Sequence, residues 1–222
     1  MYRKLGIASL ILAFAQLVSA QTVVTEFVAD LTEDFVILGG IQGTGSSATA
    51  TATFTLTQDL ANPANTTMAY TINFMNVDLD GAQTADVLDN ISALHIHDVT
   101  QCAVPICIPG TDNAGTVHLL NIFGAPRLDD ADVMVDPVAG VISGLWDISD
   151  TSPAGTPIPS LDITSQAVLD TLFNGEAALF VHTNEIPTAA SGGTLTIVPE
   201  PGAFALIAFG SLGLLRYRRK RR

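Results

Sequence analysis

The sequence predicts an all-β fold, an antiparallel β-sandwich or barrel with one short helix, set between two terminal segments that act as addresses. Three observations predict it. In Thr49-Ala50-Thr51-Ala52-Thr53-Phe54-Thr55-Leu56, hydroxyl-bearing and apolar residues alternate with a period of two, the pattern of a strand with one buried face. Short runs rich in Val, Ile, Thr, Phe and Tyr recur along residues 22–198 with turn-forming residues between them, the spacing of sandwiches and barrels. One stretch, residues 165–173, changes to helical spacing at Val168, Leu169, Leu172 and Phe173 and stops at Asn174-Gly175, which predicts the short helix.

In chain order the expected strands cover residues 22–29, 48–57, 67–76, 91–97, 115–122, 141–148, 177–182 and 193–198. Turns are expected at Ala61-Asn62-Pro63-Ala64-Asn65, at Asp80-Gly81, at Pro109-Gly110-Thr111-Asp112-Asn113, and through residues 151–159, which hold three prolines. Asn, Asp, Gly and Pro favour these positions because they accept or fix turn dihedrals at little cost. Residues 78–89 read as a long loop or another short turn.

The N-terminus carries Arg3 and Lys4, an apolar segment over residues 5–18, and the small residues Ser19 and Ala20. That order predicts a signal peptide over residues 1–20, cut before Gln21. At the other end, Val198-Pro199-Glu200-Pro201 precedes an apolar run over residues 203–215 and the basic cluster Arg216-Tyr217-Arg218-Arg219-Lys220-Arg221-Arg222. Basic residues resist translocation, so this tail holds everything before it on the outer side. The apolar run makes a helix of about 20 Å against a hydrocarbon core of about 30 Å. Such a transmembrane helix is short for a permanent anchor and suits a stop-and-sort signal.

Motif, helix and basic cluster in this order resemble the PEP-CTERM sorting signal of Gram-negative bacteria that make extracellular polysaccharide. The resemblance covers residues 198–222. It implies an exosortase-type processing protease as partner, cleavage near Pro199, Glu200 and Pro201, and inner-membrane attachment through the C-terminal helix before processing. Cell surface or extracellular matrix is the implied destination. The chain then divides into a signal peptide (1–20), a β domain (21–197) and a sorting signal (198–222).

With the two ends set aside, Arg127 is the one basic residue left, against twenty-one of the twenty-two acids, a formal charge of −20. Such a domain offers no phosphate-neutralising or lipid-binding basic patch, which excludes nucleic acid as a partner. It attracts cations and basic surfaces, and it stays soluble by self-repulsion. Cys102 and Cys107 are the two cysteines. In an exported chain they are expected to form a small local disulfide, worth at most about 2–3 kcal/mol by loop closure.

The histidines carry the chemistry. His95 and His97 lie two apart in Ala93-Leu94-His95-Ile96-His97-Asp98, so both project from the same face of an extended strand. His182, in Leu179-Phe180-Val181-His182-Thr183, offers a third imidazole from another strand. Two readings stand side by side: His95, His97 and His182 bind copper or zinc, or the rings are structural and hydrogen-bond backbone carbonyls or carboxylates such as Asp98. His118 is a weaker candidate because Val117 and Leu119 leave its face undetermined.

Ala93-Leu94-His95-Ile96-His97, Gly115-Thr116-Val117-His118-Leu119, Gly144-Leu145-Trp146 and Leu172-Phe173-Asn174-Gly175-Glu176-Ala177-Ala178-Leu179-Phe180-Val181-His182-Thr183 together resemble the CHRD domain, the chordin-type domain also found in exported bacterial proteins. The likeness spans about residues 25–197. It departs from the family at Ser191-Gly192-Gly193-Thr194-Leu195-Thr196, which lacks the usual Glu and Arg, and at residues 36–45, which lack the usual Val-Pro-Pro. The resemblance implies an all-β domain without an established catalytic activity.

Two acidic groups, Asp78 with Asp80 and Asp129-Asp130-Ala131-Asp132 with Asp136, have calcium-ligand chemistry but match no EF-hand loop; solvated acidic loops are the expected reading. No phosphate-binding glycine loop, serine nucleophile elbow or Cys–His pair is present in the sequence. The leading functional expectation is therefore non-enzymatic: an exported, exosortase-sorted CHRD-type domain that binds matrix polysaccharide or another surface protein, or serves a structural role there. The alternative is a copper- or zinc-binding metalloprotein, with redox or dismutase-like chemistry at His95, His97 and His182.

Overall fold

The computed structural model describes residues 22–38, 41–100, 118–124, 128–153 and 160–199. The signal peptide, the Cys102–Cys107 disulfide, and Glu200 and Pro201 with the apolar run and basic cluster all lie outside the described residues. Among the described residues no helix is long and apolar enough to cross a membrane.

Among the described residues the chain is mostly β, in two antiparallel sheets and a small ribbon with one α-helix. Its strands are β1 (Thr22–Leu31), β2 (Ile37–Leu38), β3 (Ile41–Gln42), β4 (Thr49–Asp59), β5 (Thr67–Met75), β6 (Ile91–Asp98), β7 (His118–Gly124), β8 (Met134–Asp136), β9 (Val141–Trp146), β10 (Ala177–Thr183), β11 (Ser191–Thr194) and β12 (Thr196–Ile197). The helix α1 is Gln166–Phe173. One sheet has the order β12-β1-β4-β5-β9-β8 and the other β11-β10-β6-β7, while β2 and β3 form a small ribbon.

The large sheet is a direct product of period-two patterning. Strand β4 points Ala50, Ala52, Phe54 and Leu56 inward and its threonines outward. Phe27, Ala29 and Leu31 of β1 and Met68, Tyr70, Ile72 and Phe74 of β5 do the same. Cross-strand pairs set large against small, Leu31 opposite Ala50 and Ile72 opposite Ala52, so the layer fills without overpacking. From the second sheet, Leu94, Ile96, Leu179 and Val181 enter the same apolar cluster. That is the two-layer arrangement expected of a β-sandwich. Trp146, fully buried, donates its indole N–H to the Leu161 carbonyl at 3.2 Å. Helix α1 adds Val168, Leu169 and Leu172 to the core.

Two expectations need correction. Residues 193–198 are not one strand: β11 pairs with β10 in the small sheet, and β12 pairs with β1 in the large one. Leu195, buried between them, is the crossing point. The strand expected over 141–148 stops at Trp146, where Asp147 accepts a bond from the Ser149 N–H and opens a 3-10 turn over Ile148–Asp150. An Asp cap satisfies that turn's free N–H groups better than continued pairing does.

Candidate functional site

The four histidines come together. Strand β6 lies between β10 and β7, so it can present His95 and His97 to neighbours on both sides. On the β10 side Phe180 pairs with His95 and His182 with Ala93, which places His182 diagonally beside His95. On the β7 side His118 pairs with His97 and Asn121 with His95. This last register depends on two irregularities, between Leu94 and His95 and between Ile96 and His97. Each inserts an extra residue in β7 and re-aims the side chains beyond it, as β-bulges do. Without them His118 would pair beyond His97.

Ring centroids of His95 lie 4.3 Å from His118, 4.9 Å from His182 and 5.6 Å from His97. His97 lies 4.4 Å from His118 and 6.5 Å from His182. The cluster occupies the face of β6 opposite Leu94 and Ile96, away from the inter-sheet core. A second apolar group, Val36, Val99, Ala178, Phe180 and Ala189, packs on that side. None of the four histidines is more than 9 % exposed.

Hydrogen bonds fix two of the tautomers. The Nδ1 of His182 stands 3.0 Å from the Pro187 carbonyl. A carbonyl only accepts, so Nδ1 carries the proton and Nε2 the lone pair. The Nδ1 of His118 meets Asn121 Oδ1. Asn121 Nδ2 donates to Asp129 Oδ2 at 2.9 Å and Ser160 Oγ at 3.1 Å, which orients its oxygen toward His118. Ser152 and Ser160 each donate to the same Asp129 oxygen at 2.7 Å. His118 Nδ1 is therefore the donor and Nε2 again the free base. Burial pushes His95 far below the usual imidazole range, reinforced by its three histidine neighbours. Burial also lowers His118, against the opposing Asn121 bond and Asp129 charge, and lowers His182 against the Pro187 bond. Buried Nδ1 of His95 and Nε2 of His182 have no hydrogen-bond partner, a cost of about 1–3 kcal/mol each. As the rings stand they meet at tilted or edge-on angles, and among the described residues no group of three or more ligating side chains is set to hold a metal ion.

Sequence reasoning placed His95, His97 and His182 together, ranked His118 a weaker candidate, assigned Asp129 to an acidic loop and left out Asn121. A polar Asn within the apolar run His118-Leu119-Leu120-Asn121-Ile122-Phe123 was the available signal. The expected solvated acidic loops also need correction. Asp78 and Asp130 are 1 % and 0 % exposed. Burial would raise Asp78, but backbone N–H groups of Asp80, Gly81, Gln83 and Thr84 bind its carboxylate and hold it at about 2. It is the hub of the 78–89 loop. Tyr70 donates its hydroxyl to Asp130, and burial raises both groups. Asp150 accepts from Asp147 N at 2.7 Å and Ala131 N at 3.3 Å, yet burial, with the Asp130 charge adding to it, pushes it up to about 6.

These groups oppose one another in pH. Asp150 binds a proton in the folded state first, so it favours folding as pH falls from about 6 to 4. His95, His118 and His182 resist protonation when folded, so stability is lost as pH falls below about 6.5. A group that stays unprotonated costs up to about 1.4 kcal/mol per pH unit below its unfolded pKa, and three histidines outweigh the two raised carboxylates, Asp130 and Asp150. We expect the denaturation midpoint, measured with chelator present, to fall steeply between about pH 6.5 and 5. The fall should steepen in Asp150→Asn, which removes one of the two opposing groups. A midpoint that rises across that range would contradict the buried, neutral cluster.

Comparison with known proteins adds one match. A family model for the PEP-CTERM protein-sorting motif matches residues 198–222. No curated protein and no solved structure matches the chain, and the CHRD resemblance is shown by no family model. The matched motif indicates an exported protein that is anchored in the membrane before an exosortase-type enzyme processes it.

Proposed function

We propose that this is a non-enzymatic surface protein of a Gram-negative bacterium, whose CHRD-type β domain serves a binding or structural role at the cell surface or in the extracellular polysaccharide matrix. The observation that carries the reading is the junction of fold and sorting motif. Val198 N–H donates to the Glu26 carbonyl at 2.8 Å, which extends the β12–β1 edge, and Pro199 comes directly after it, exposed. The motif leaves the folded domain with no linker between them, so processing there delivers the whole domain intact. A formal charge of −20 between the two address segments keeps such a domain soluble outside the cell and favours basic or cation-bridged partners.

The test is a producing strain in which residues 198–222 are deleted. The full chain should be recovered with the cell surface or matrix, and the deleted chain in the culture medium. Retention and processing of the deleted chain equal to those of the full chain would overturn the proposal.

A further inference from the structure

We infer that His95, His97, His118 and His182 form a closed, four-imidazole centre for a single copper or zinc ion. Three features of the fold carry this. The first is spacing. An ion about 2 Å from each ligating nitrogen, with a further ~1 Å to each ring centre, keeps any two ligand rings within about 6 Å. Four of the measured separations, 4.3, 4.4, 4.9 and 5.6 Å, satisfy that limit. The pair at 6.5 Å, His97 and His182, lies just outside it, so one of these two rings has to swing inward to bind. Small turns of the rings about their side-chain bonds, with the strand register and the outer hydrogen bonds of His118 and His182 kept, exchange tilted and edge-on ring contacts for nitrogens aimed at one point.

The second feature is the outer hydrogen-bond layer. His182 gives its Nδ1 proton to the Pro187 carbonyl, and His118 gives its own to Asn121, which Asp129 and Ser160 hold in place. Metal-binding histidines are oriented in this way, by a carbonyl or amide on the nitrogen that does not bind. A histidine that merely fills space needs no Asn–Asp–Ser relay behind it. The third feature is the unpartnered buried nitrogens, Nδ1 of His95 and Nε2 of His182. A cation satisfies both at once, where neighbouring imidazoles leave them facing apolar surroundings.

The donor set decides the class of ion. Nitrogen donors without carboxylate or thiolate suit copper and zinc, and disfavour calcium and magnesium, which take oxygen. Burial decides its role. With every ring at most 9 % exposed and the Phe180 ring edge-on to His97 with centroids 4.9 Å apart, four protein ligands fill the sphere and leave no open position for substrate. The ion is a staple across β10, β6 and β7.

The test loads the full chain separately with Cu²⁺ and Zn²⁺, removes loose metal by gel filtration, and measures metal content and the X-ray absorption spectrum. One ion per chain with a coordination shell of imidazole nitrogens at about 2 Å is the expected result. Metal content should fall to near zero in folded His95→Gln, and affinity should drop about 10- to 100-fold in Asn121→Ala. His118→Gln should lose metal as fully as His95→Gln, since it is a ligand. Substoichiometric metal, an oxygen or sulfur shell, or full retention in a folded His95→Gln would overturn the inference. The wild-type spectrum decides by itself if the variants fail to fold.

Discussion

Replacing Gly124 with alanine should destabilise the domain by about 3 kcal/mol or more, whereas the same change at Gly175 should cost about 1 kcal/mol. Both glycines sit in the left-handed region, at φ +78° and +71°. The backbone penalty of about 1–2 kcal/mol is therefore common to them. What differs is the space. A methyl group on Gly175 meets nothing within 4 Å, while one on Gly124 would overlap the Ser92 carbonyl oxygen and stand 2.8 Å from its carbon and 2.9 Å from the Ala93 Cα. These are backbone atoms of the strand end that leads into His95 and His97, and they cannot swing aside as a side chain can. Gly124 pairs with Ala93 at the end of the β6–β7 ladder, so relief requires prising β7 from β6. A loss of about 3 kcal/mol is a large share of the roughly 5–15 kcal/mol typical of a domain. Thermal unfolding should show Gly124→Ala melting about 10 °C lower and Gly175→Ala near wild type. Equal melting points for the two would show that β6 and β7 do not approach so closely.

Much of the fold could be read from residues whose neighbours along the chain decide their fate. In β1, β4 and β5 the inward set alternates without a break, so strand, face and sheet emerge from one pattern. Helix α1 announces itself by Val168, Leu169 and Leu172 and by the stop at Asn174-Gly175. Where tertiary pairing decides, the sequence is silent. Strands β2, β3 and β8 have two or three residues each, too few for a period to show. Thr194-Leu195-Thr196 reads as continuous strand, because nothing local tells a chain passing between sheets from one staying in its own. His118 shows the same limit inside the site. Its place opposite His97 depends on two register slips in β7, and a slip of one residue reverses which face a side chain occupies. Asp78 and Asp130 looked like surface acids because burying a carboxylate is costly. The backbone donors around Asp78 and the Tyr70 hydroxyl on Asp130 make their burial tolerable, and those partners are distant in sequence or hidden in loop geometry.

The second large effect is all-or-none, and it concerns what the cell does with the two ends. Residues 1–20 carry the features of a cleaved leader, and the matched sorting motif begins at the last hydrogen-bonded residue of the domain, Val198. Edge pairing through Val198 should shield the chain up to that point, while Pro199 is exposed. The intact mass of the protein recovered from the outside of producing cells tests this directly. It should correspond to a chain that starts at Gln21 and ends within residues 199–201, without the apolar run and the basic cluster. Recovery of the uncut 23.2 kDa chain from the cytosol, with both ends present, would contradict it.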